Sequence, residues 1–288
     1  MLYIELLTQG SDLRMSKVRS QFKRNIKDNP YLLWGLIITG LVLLMTVVGI
    51  FWTPYDTTTM NAQEKLQGIS FRHIMGTDNM GRDVFSRVMY GSRITLLIAI
   101  GTVAIGAFFG TIIGAITGYY GGMMDEVIMR ITDALFAFPS ILLALVIVSV
   151  FGTGWIQLLM SLGIAFMPSF VRIVRGEVLR CRNMDYVENA RLQGVSDLRM
   201  IFVHILPNIK GVLASSILIG FNNAVLAEAG LSYLGVGSQP PYASLGKMLS
   251  DAQQYMFTTP SYVLCPGLVI VLMVLGFAFL GEGISRWK

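Results

Sequence analysis

Five residues that could take part in ion pairing, proton transfer or docking lie within residues 186–209, YVENARLQGVSDLRMIFVHILPNI. They are Glu188, Arg191, Asp197, Arg199 and His204. The stretch separates two long apolar runs. Residues 186–193 are mostly helix formers, Gly194 is suited to end or bend a helix, and Ser196 is a suitable N-cap for a second helix that Pro207 would end. A helix, a glycine turn and a second helix predict a docking surface rather than a solvated loop.

The two histidines do not predict a metal site or a hydrolase. His73 and His204 fall on opposite sides of the membrane in the topology derived below, so they cannot share a metal ion. The same separation leaves a membrane-embedded hydrolase without a nucleophile, a base or a metal cluster. Cys181 falls in a loop and Cys265 in the last span, so no disulfide framework is expected.

A phosphate-binding loop of the type Gly-x4-Gly-Lys-[Ser/Thr] is absent from the sequence. The only Gly-Lys dipeptide, Gly246-Lys247, continues as Met248 and lacks the upstream glycine. Any ATP used with this protein must therefore be hydrolysed by another chain.

The composition is that of an all-α membrane protein. Of 288 residues, 54% are hydrophobic and 14% are charged, whereas soluble domains carry about 25% charged residues. A membrane-spanning helix needs about 20 apolar residues, and the charge-free stretches predict six of them. The predicted spans are 31–52, 94–118, 127–150, 155–174, 210–231 and 261–281. Between the first two spans, the Gly, Asn and Asp content predicts turns followed by a short amphipathic helix.

The distribution of Lys and Arg predicts the orientation. With the N-terminus inside, 16 of the 22 Lys and Arg residues lie on the cytoplasmic side, so both termini and residues 186–209 are expected there. Five of the six exceptions lie between Lys65 and Arg93. The pI near 9.2 follows from this flanking charge and from anionic lipid, so no nucleic-acid partner is expected.

The chain is divided into three parts by this topology. Residues 1–28 form a basic cytoplasmic leader, and residues 29–93 hold the first span and an extracytoplasmic segment. The first span is interpreted as a retained anchor, because no small-residue cleavage site follows it. Residues 94–288 form the core domain, with the polar loop at 184–208.

Glycine recurs every four residues in the second span. Gly106, Gly110, Gly114 and Gly118, with Gly122 beyond them, lie near one helix face, where a neighbouring backbone can approach closely. The pattern predicts a helix-packing face; a pore-lining strip is the alternative.

Polar residues at the outer ends and inside the spans have separate interpretations. Asp78, Arg82 and Asp83 could hold a docked protein, but helix capping is favoured. Glu228 is expected about 27 Å along its span, as an interfacial group near the outer face. Asn222 and Asn223, deeper in that span, are the candidates for lining a polar path.

The polar loop resembles a known family signature. ENARLQG followed by HILP resembles the EAA signature of ABC importer permeases: Glu-Ala-Ala, three residues, Gly, nine residues, Ile, one residue, Leu-Pro. Five positions match and two depart, since Asn189 replaces an alanine and His204 replaces the isoleucine. The matching positions are Glu188, Ala190, Gly194, Leu206 and Pro207.

The resemblance covers all of the chain except about residues 1–28. Segments GTDNMGRDVFSRVMYGSR, GYYGGMMDEVIMRITDALFAFPS, FVRIVRGEVL and LAEAGLSYLGVGSQPP are similar to the second permease subunit of peptide and nickel importers. The resemblance implies a type I ABC importer permease fold whose EAA loop forms a cytoplasmic coupling helix between helices four and five, at about residues 184–194.

The resemblance also implies partners and a substrate class. The expected partners are a second, homologous permease subunit, two cytoplasmic ATPase subunits and an extracytoplasmic solute-binding protein, in the cell (inner) membrane of a bacterium or archaeon. The expected substrates are di- or oligopeptides, with nickel or a metal chelate as the alternative. No cofactor is expected in this chain, and ATP and Mg²⁺ would bind the partner ATPases. A secondary transporter is the alternative from another class, but charge-free spans and the lack of an internal repeat count against it.

Overall fold

The computed structural model describes residues 29–285, and the predicted basic leader and the C-terminal Arg286 and Lys288 lie outside the described residues. The described part is helical. Its helices are α1 (Pro30–Phe51), α2 (Val84–Tyr120), α3 (Gly122–Phe136), α4 (Ser140–Phe151), α5 (Trp155–Arg182), α6 (Asp185–Leu192), α7 (Asp197–Arg199), α8 (Lys210–Tyr233), α9 (Leu245–Ala252) and α10 (Pro260–Ser285).

Five of these helices are long and apolar enough to cross a membrane. They are α1, α2, α5, α8 and α10, and the count rises to six if the bent pair α3 and α4 is one span. We call the end of the bundle that carries residues 119–139 and 182–210 the loop end. The opposite end, which carries residues 52–83 and 234–259, is called the cap end.

The third predicted span is not a straight helix. Residues 127–150 are divided between α3 and α4, which meet at 91° across residues 137–139. Pro139 explains the break, because proline lacks the backbone donor and disfavours a helical conformation in the residue before it. α4 is only 12 residues long, or about 18 Å, and α3 carries the charged residues of this region. Hydropathy shows that the region is apolar, but it does not show that the helix axis changes direction within it.

The second predicted span is longer than expected. The separate amphipathic helix predicted before it is continuous with it, so α2 runs over 37 residues from Val84 rather than over 94–118. Asp83 caps its first turn, with Oδ2 accepting from the Ser86 backbone N at 2.7 Å. Gly91 lets the start of α9 pack closely on α2, since a Cβ there would lie 3.3 Å from the Ser244 carbonyl carbon.

The main helix pair of the bundle is α2 against α5, and the periodic glycines lie at their interface. A Cβ on Gly110 would lie 2.5 Å from the Phe170 Cβ, and one on Gly114 would lie 2.5 Å from the Val171 carbonyl oxygen. Gly106 and Gly118 also face α5, whereas Gly122 has left the strip and begins α3. The two backbones approach so closely that side chains at these positions would not fit.

The buried apolar side chains form two clusters. The larger runs through the bundle and includes residues of α1, α2, α4, α5, α8, α9 and α10. The smaller lies at the loop end and joins α2 and α5 to the chain that follows them. Its buried members are Ala115, Tyr119, Val174, Val178, Cys181, Val187, Ala190, Met200, Ile201, Ile205 and Ile209.

Candidate functional site

A helix is present at the position predicted for the coupling helix, as α6 at the loop end. α6 covers Asp185–Leu192 and ends at Gln193, and Gly194 follows with φ of +77°. The Gly194 backbone N donates to the Arg191 carbonyl at 3.0 Å, and the Val195 N donates to the Ala190 carbonyl at 3.2 Å. This left-handed turn favours glycine because it has no Cβ, so Gly194 sets the direction in which the chain leaves α6.

α6 has two faces of different chemistry. Val187 is fully buried and Ala190 is 8% exposed, and both belong to the smaller apolar cluster. Glu188 and Asn189 face outward, and Leu192 is 82% exposed. One face is therefore seated on the bundle, and the other is left free within the described part of the chain.

The second arm of the loop is less regular than the predicted second helix. Ser196 is extended, but its side chain makes no capping hydrogen bond. After the single turn α7, residues Met200–Ile205 are π-helical, and Leu206–Asn208 form a 3-10 turn that contains Pro207. Met200, Ile201 and Ile205 anchor this arm in the core, because the wider π turn directs all three inward.

The two arms present a mixed outer surface. Leu198, Phe202 and Val203 are exposed alongside Leu192, and Pro207 is exposed while Leu206 is partly buried. His204 is partly buried, and its carbonyl accepts from the Asn208 side chain at 2.7 Å. Burial raises the pKa of the nearby Tyr186 phenol.

A single tyrosine joins the loop to the end of α2. The Tyr119 hydroxyl donates to Asp197 Oδ1 at 2.7 Å, and the Tyr119 carbonyl accepts from Arg182 Nη1 at 2.9 Å. Tyr119 thus contacts both the second arm and the end of α5. No sequence pattern indicates this contact, because the partners are 78 residues apart.

Ion pairs hold α3 against α5 at the same end. Arg175 binds Asp125 through two nitrogens, at 2.5 and 2.6 Å. Arg172 binds Asp133 at 2.7 Å, and its guanidinium lies 3.9 Å from the centroid of the Phe136 ring. These side chains are partly exposed, so charge rather than apolar burial holds α3 in place. The spacing of Asp125 and Asp133, eight residues apart on a helix, is the sequence signal that could have indicated the contact.

A cavity of about 380 Å³ lies between α4, α5 and α8. Its walls are apolar apart from four neutral polar side chains, and none of its lining residues is ionisable. The polar side chains are those of Ser140, Ser169, Ser216 and Asn223.

The two asparagines predicted to line a path are separated by the structure. Asn223 is exposed to the cavity. Asn222 does not line it, and its Oδ1 is buried without a hydrogen-bond partner in the described residues. The three serines were missed because serine is common in packed helices and carries no distinctive spacing.

The interpretation of Glu228 as an interfacial group was wrong. Its side chain is fully buried, and Oε1 accepts from the Ser232 hydroxyl at 2.7 Å. Helical rise placed Glu228 near the end of its span, but α9 folds over this end and covers it. Gly246 of α9 lies so close that a Cβ there would be 2.4 Å from the Ala229 carbonyl oxygen.

The polar residues of GTDNMGRD build the cap end. Asp78 Oδ1 accepts from the backbone N of Met80 and of Arg82, and its Oδ2 accepts from Arg82 Nε at 2.6 Å. Asp83 caps α2, and its Oδ1 is 2.9 Å from Nδ1 of the buried His73. Of the three residues, Asp83 caps a helix, whereas Asp78 holds the turn before it and Arg82 pairs with Asp78. Among residues 29–285, no group of three His, Cys, Asp or Glu side chains is placed to bind a metal.

These features define a class of protein before any relative is considered. A bundle of membrane-crossing helices has an uncharged, open cavity between α4, α5 and α8, a compact cap at one end and a solvent-exposed helical loop at the other, as expected for the membrane part of a transporter. Residues 110–287 match the family described as binding-protein-dependent transport system inner membrane component. The chain belongs to this family and is a permease subunit of an ABC importer.

The similar proteins of known name agree with this assignment. The chain is 40% identical over 270 residues to the dipeptide transport system permease protein DppC of Alkalihalophilus pseudofirmus, covering 94% of this chain and 88% of that one. It is 39% identical over 257 residues to the glutathione transport system permease protein GsiD of Pectobacterium atrosepticum, covering 86% and 84%. It is 36% identical to DppC of Haemophilus influenzae, covering 90% of each chain.

A solved structure supports the fold. A chain of the inward-facing MetNI methionine ABC transporter matches with a TM-score of 0.56 and 18% identity, over 68% of this chain and 93% of that one. At this identity, the likeness concerns the fold alone. The family assignment decides for an ABC permease and against the secondary transporter.

Proposed function

We propose that this permease imports di- or oligopeptides, driven by ATP that two partner ATPase subunits hydrolyse. A second, homologous permease subunit would complete the pathway, and an extracytoplasmic solute-binding protein would deliver the peptide. The names of the relatives, which refer to dipeptide and glutathione transport, support the substrate class. This chain would hold no cofactor, and ATP and Mg²⁺ would bind the partner ATPases.

The observation that carries the proposal is the two-faced loop at the loop end. α6 is seated by Val187 and Ala190, while its other face presents Glu188, Asn189 and Leu192 to solvent. Exposed apolar groups among charged ones are typical of a protein interface. We assign this surface to ATPase docking. Gly194 directs the chain out of the surface, and Leu206 and Pro207 end the second arm.

The contacts beneath the loop provide a route for force. A partner that moves α6 also moves the smaller apolar cluster, in which Val187 packs with Val174 and Val178 of α5. Tyr119 connects Asp197 to α2. Because α2 and α5 pack backbone to backbone through the glycine strip, they would move as one body.

The orientation follows from charge and from the docking assignment together. The loop end carries Arg172, Arg175, Arg180, Arg182 and Arg191, and cytoplasmic loops retain positive charge. We therefore place the loop end and both termini in the cytoplasm, and the cap end outside, where the solute-binding protein would dock. The pathway would include the cavity lined by Asn223, while Asn222 supports packing beside it.

Co-purification of the assembled complex tests the coupling assignment. We expect Glu188→Arg and Gly194→Pro to abolish recovery of the ATPases with the permease and to abolish peptide uptake into proteoliposomes. Glu126→Arg is the matched control, because it makes the same charge change on an exposed side chain at the same end but outside the loop. Normal ATPase binding by both loop variants would contradict the assignment.

The substrate class is tested on the solute-binding protein and the wild-type complex. We expect Ala-Ala to bind the solute-binding protein and to be taken up by the wild-type complex on addition of ATP. Binding and uptake of Ni²⁺ without peptide would favour the nickel alternative.

A further inference from the structure

Three side chains in the cavity have hydrogen-bonding groups without partners. Within the described part of the chain, neither the Ser169 side chain of α5 nor the Asn223 side chain of α8 forms an intramolecular hydrogen bond. The Ser140 side chain also lacks a hydrogen-bond partner in the described residues. The Ser216 hydroxyl donates to the Val212 carbonyl of its own helix at 2.8 Å, so the Ser216 oxygen can still accept a hydrogen bond. The cavity therefore offers several unused donors and acceptors on apolar walls.

Two of these groups, on Asn223 and Ser169, lie deep in the spans. Asn223 is the 14th residue of α8 and Ser169 is the 15th of α5, so each is about 20 Å from the start of its helix. In a hydrocarbon core about 30 Å thick, unpaired amide and hydroxyl groups facing lipid would be costly. Their position therefore favours a surface that meets water or a polar solute.

The wall behind these groups is held in a fixed shape. The Phe170 ring lines the cavity and lies between α2 and α8, since a Cβ on Gly106 would be 3.3 Å from Phe170 Cδ2 and one on Gly220 would be 3.1 Å from Cζ. Phe170 is 3% exposed. The ring cannot swing into the helices that flank it, so the cavity is preformed.

The charge on this surface is zero. The nearest arginines along α5, Arg172 and Arg175, are engaged by Asp133 and Asp125 of α3 and do not line the cavity. A charged substrate would therefore meet dipoles that can reorient as donors or acceptors, without a fixed ion to attract or repel it.

We propose that Ser169, Ser216 and Asn223 form an uncharged hydrogen-bonding surface that contacts the peptide backbone during passage and does not select peptides by net charge. This inference rests on the proposed function. It assigns charge selection to other parts of the transporter and identifies α5 and α8 as the helices of this subunit that contact the substrate.

A charge-swap experiment tests the inference. Proteoliposomes with the complete transporter take up Ala-Ala, Ala-Lys or Ala-Glu through the same binding protein, and each variant rate is divided by the wild-type rate for that peptide. The division cancels the selectivity of the binding protein. We expect Asn223→Asp to raise the Ala-Lys to Ala-Glu ratio about tenfold and Asn223→Lys to lower it by a similar factor. Asn223→Gln, the neutral control, leaves the ratio unchanged.

The outcomes separate the two proposals. Opposite shifts for Asn223→Asp and Asn223→Lys support the inference. Equal losses of uptake for all three peptides, or an unchanged Ala-Lys to Ala-Glu ratio, would overturn the inference. The proposed function would still stand in that case, provided that the wild-type transporter takes up the peptides. Failure of the wild type to take up any of the peptides would overturn the proposed function and the inference with it.

A second measurement covers variants that do not assemble. Ser169→Cys, in a background with Cys181→Ser and Cys265→Ser, is treated with a small water-soluble thiol reagent with and without saturating Ala-Ala and binding protein. We expect modification during turnover and slower modification with peptide present. A thiol that does not react, or that reacts equally with and without peptide, would contradict substrate contact.

Discussion

The two ends of this permease are built in different ways. At the cap end, Asp78, Asp83 and His73 are nearly inaccessible: His73 pairs with Asp83, Asp83 caps α2, and Asp78 binds the turn that contains Arg82. At the loop end, Arg172 and Asp133 are about half exposed, and single contacts such as Tyr119 to Asp197 join the elements. Buried polar networks fix one arrangement, whereas exposed ion pairs exchange with water at little cost. The difference indicates a rigid cap and a deformable loop end, which is where a partner would apply force.

The largest effect is expected from breaking the cap. Asp83→Ala removes the N-cap of α2 and the partner of His73, both of them buried. Losing an N-cap together with a buried hydrogen-bond partner costs about 2–5 kcal/mol. We expect a large drop in thermal unfolding temperature in detergent and little assembled permease.

Asp56→Ala provides the control for that variant. Asp56 is exposed and bonds only Thr58 and Thr59 of its own turn. We expect the thermal unfolding temperature to stay close to that of the wild type. Equal destabilisation by the two variants would show that the cap is no more rigid than an exposed turn.

A smaller effect on stability, but a clear effect on coupling, is expected at Tyr119. Tyr119→Phe removes the hydroxyl that binds Asp197, at a cost of about 1 kcal/mol. Because this bond joins the loop to α2, ATP hydrolysis should respond less to peptide-loaded binding protein while the ATPases remain bound. Tyr120→Phe is the matched control, since Tyr120 is half exposed. The same loss of response in both variants would count against the role of the Tyr119 hydroxyl.

The smallest change in stability is expected at Arg175. Arg175→Gln breaks a partly exposed ion pair with Asp125, for which we expect less than about 1 kcal/mol. Release of α3 should nevertheless alter the ratio of uptake to ATP hydrolysed. Restoration of that ratio by Asp125→Arg combined with Arg175→Asp would show that the ion pair itself is responsible. A folded variant with an unchanged ratio would show that α3 does not move during transport.

Much of the loop could be predicted from the sequence, because its signals are local. Helix formers followed by Gly194 indicate a helix and its end, and the spacing of Gly110 and Gly114 indicates a close helix contact. The bend between α3 and α4 and the burial of Glu228 could not be predicted. Hydropathy does not report a change in the direction of a helix axis. Glu228 is covered by α9, whose packing there depends on contacts such as Gly246 with Ala229 that no local pattern reveals. The cavity itself was not predicted; of its polar residues only Asn223 had been singled out, as a candidate for lining a polar path, because serines carry no distinctive spacing.

Labelling with a membrane-impermeant maleimide determines whether the loop end lies in the cytoplasm, where it would face the ATPases. Leu192→Cys reports on the loop end and Phe71→Cys on the cap end, because both native side chains are highly exposed. Both variants carry Cys181→Ser and Cys265→Ser. We expect Leu192→Cys to be labelled only in inverted vesicles and to be protected when the ATPases are bound. We expect Phe71→Cys to be labelled only in intact cells or spheroplasts. Labelling of Leu192→Cys from the exterior, or labelling that bound ATPases leave unchanged, would contradict this placement of the loop end.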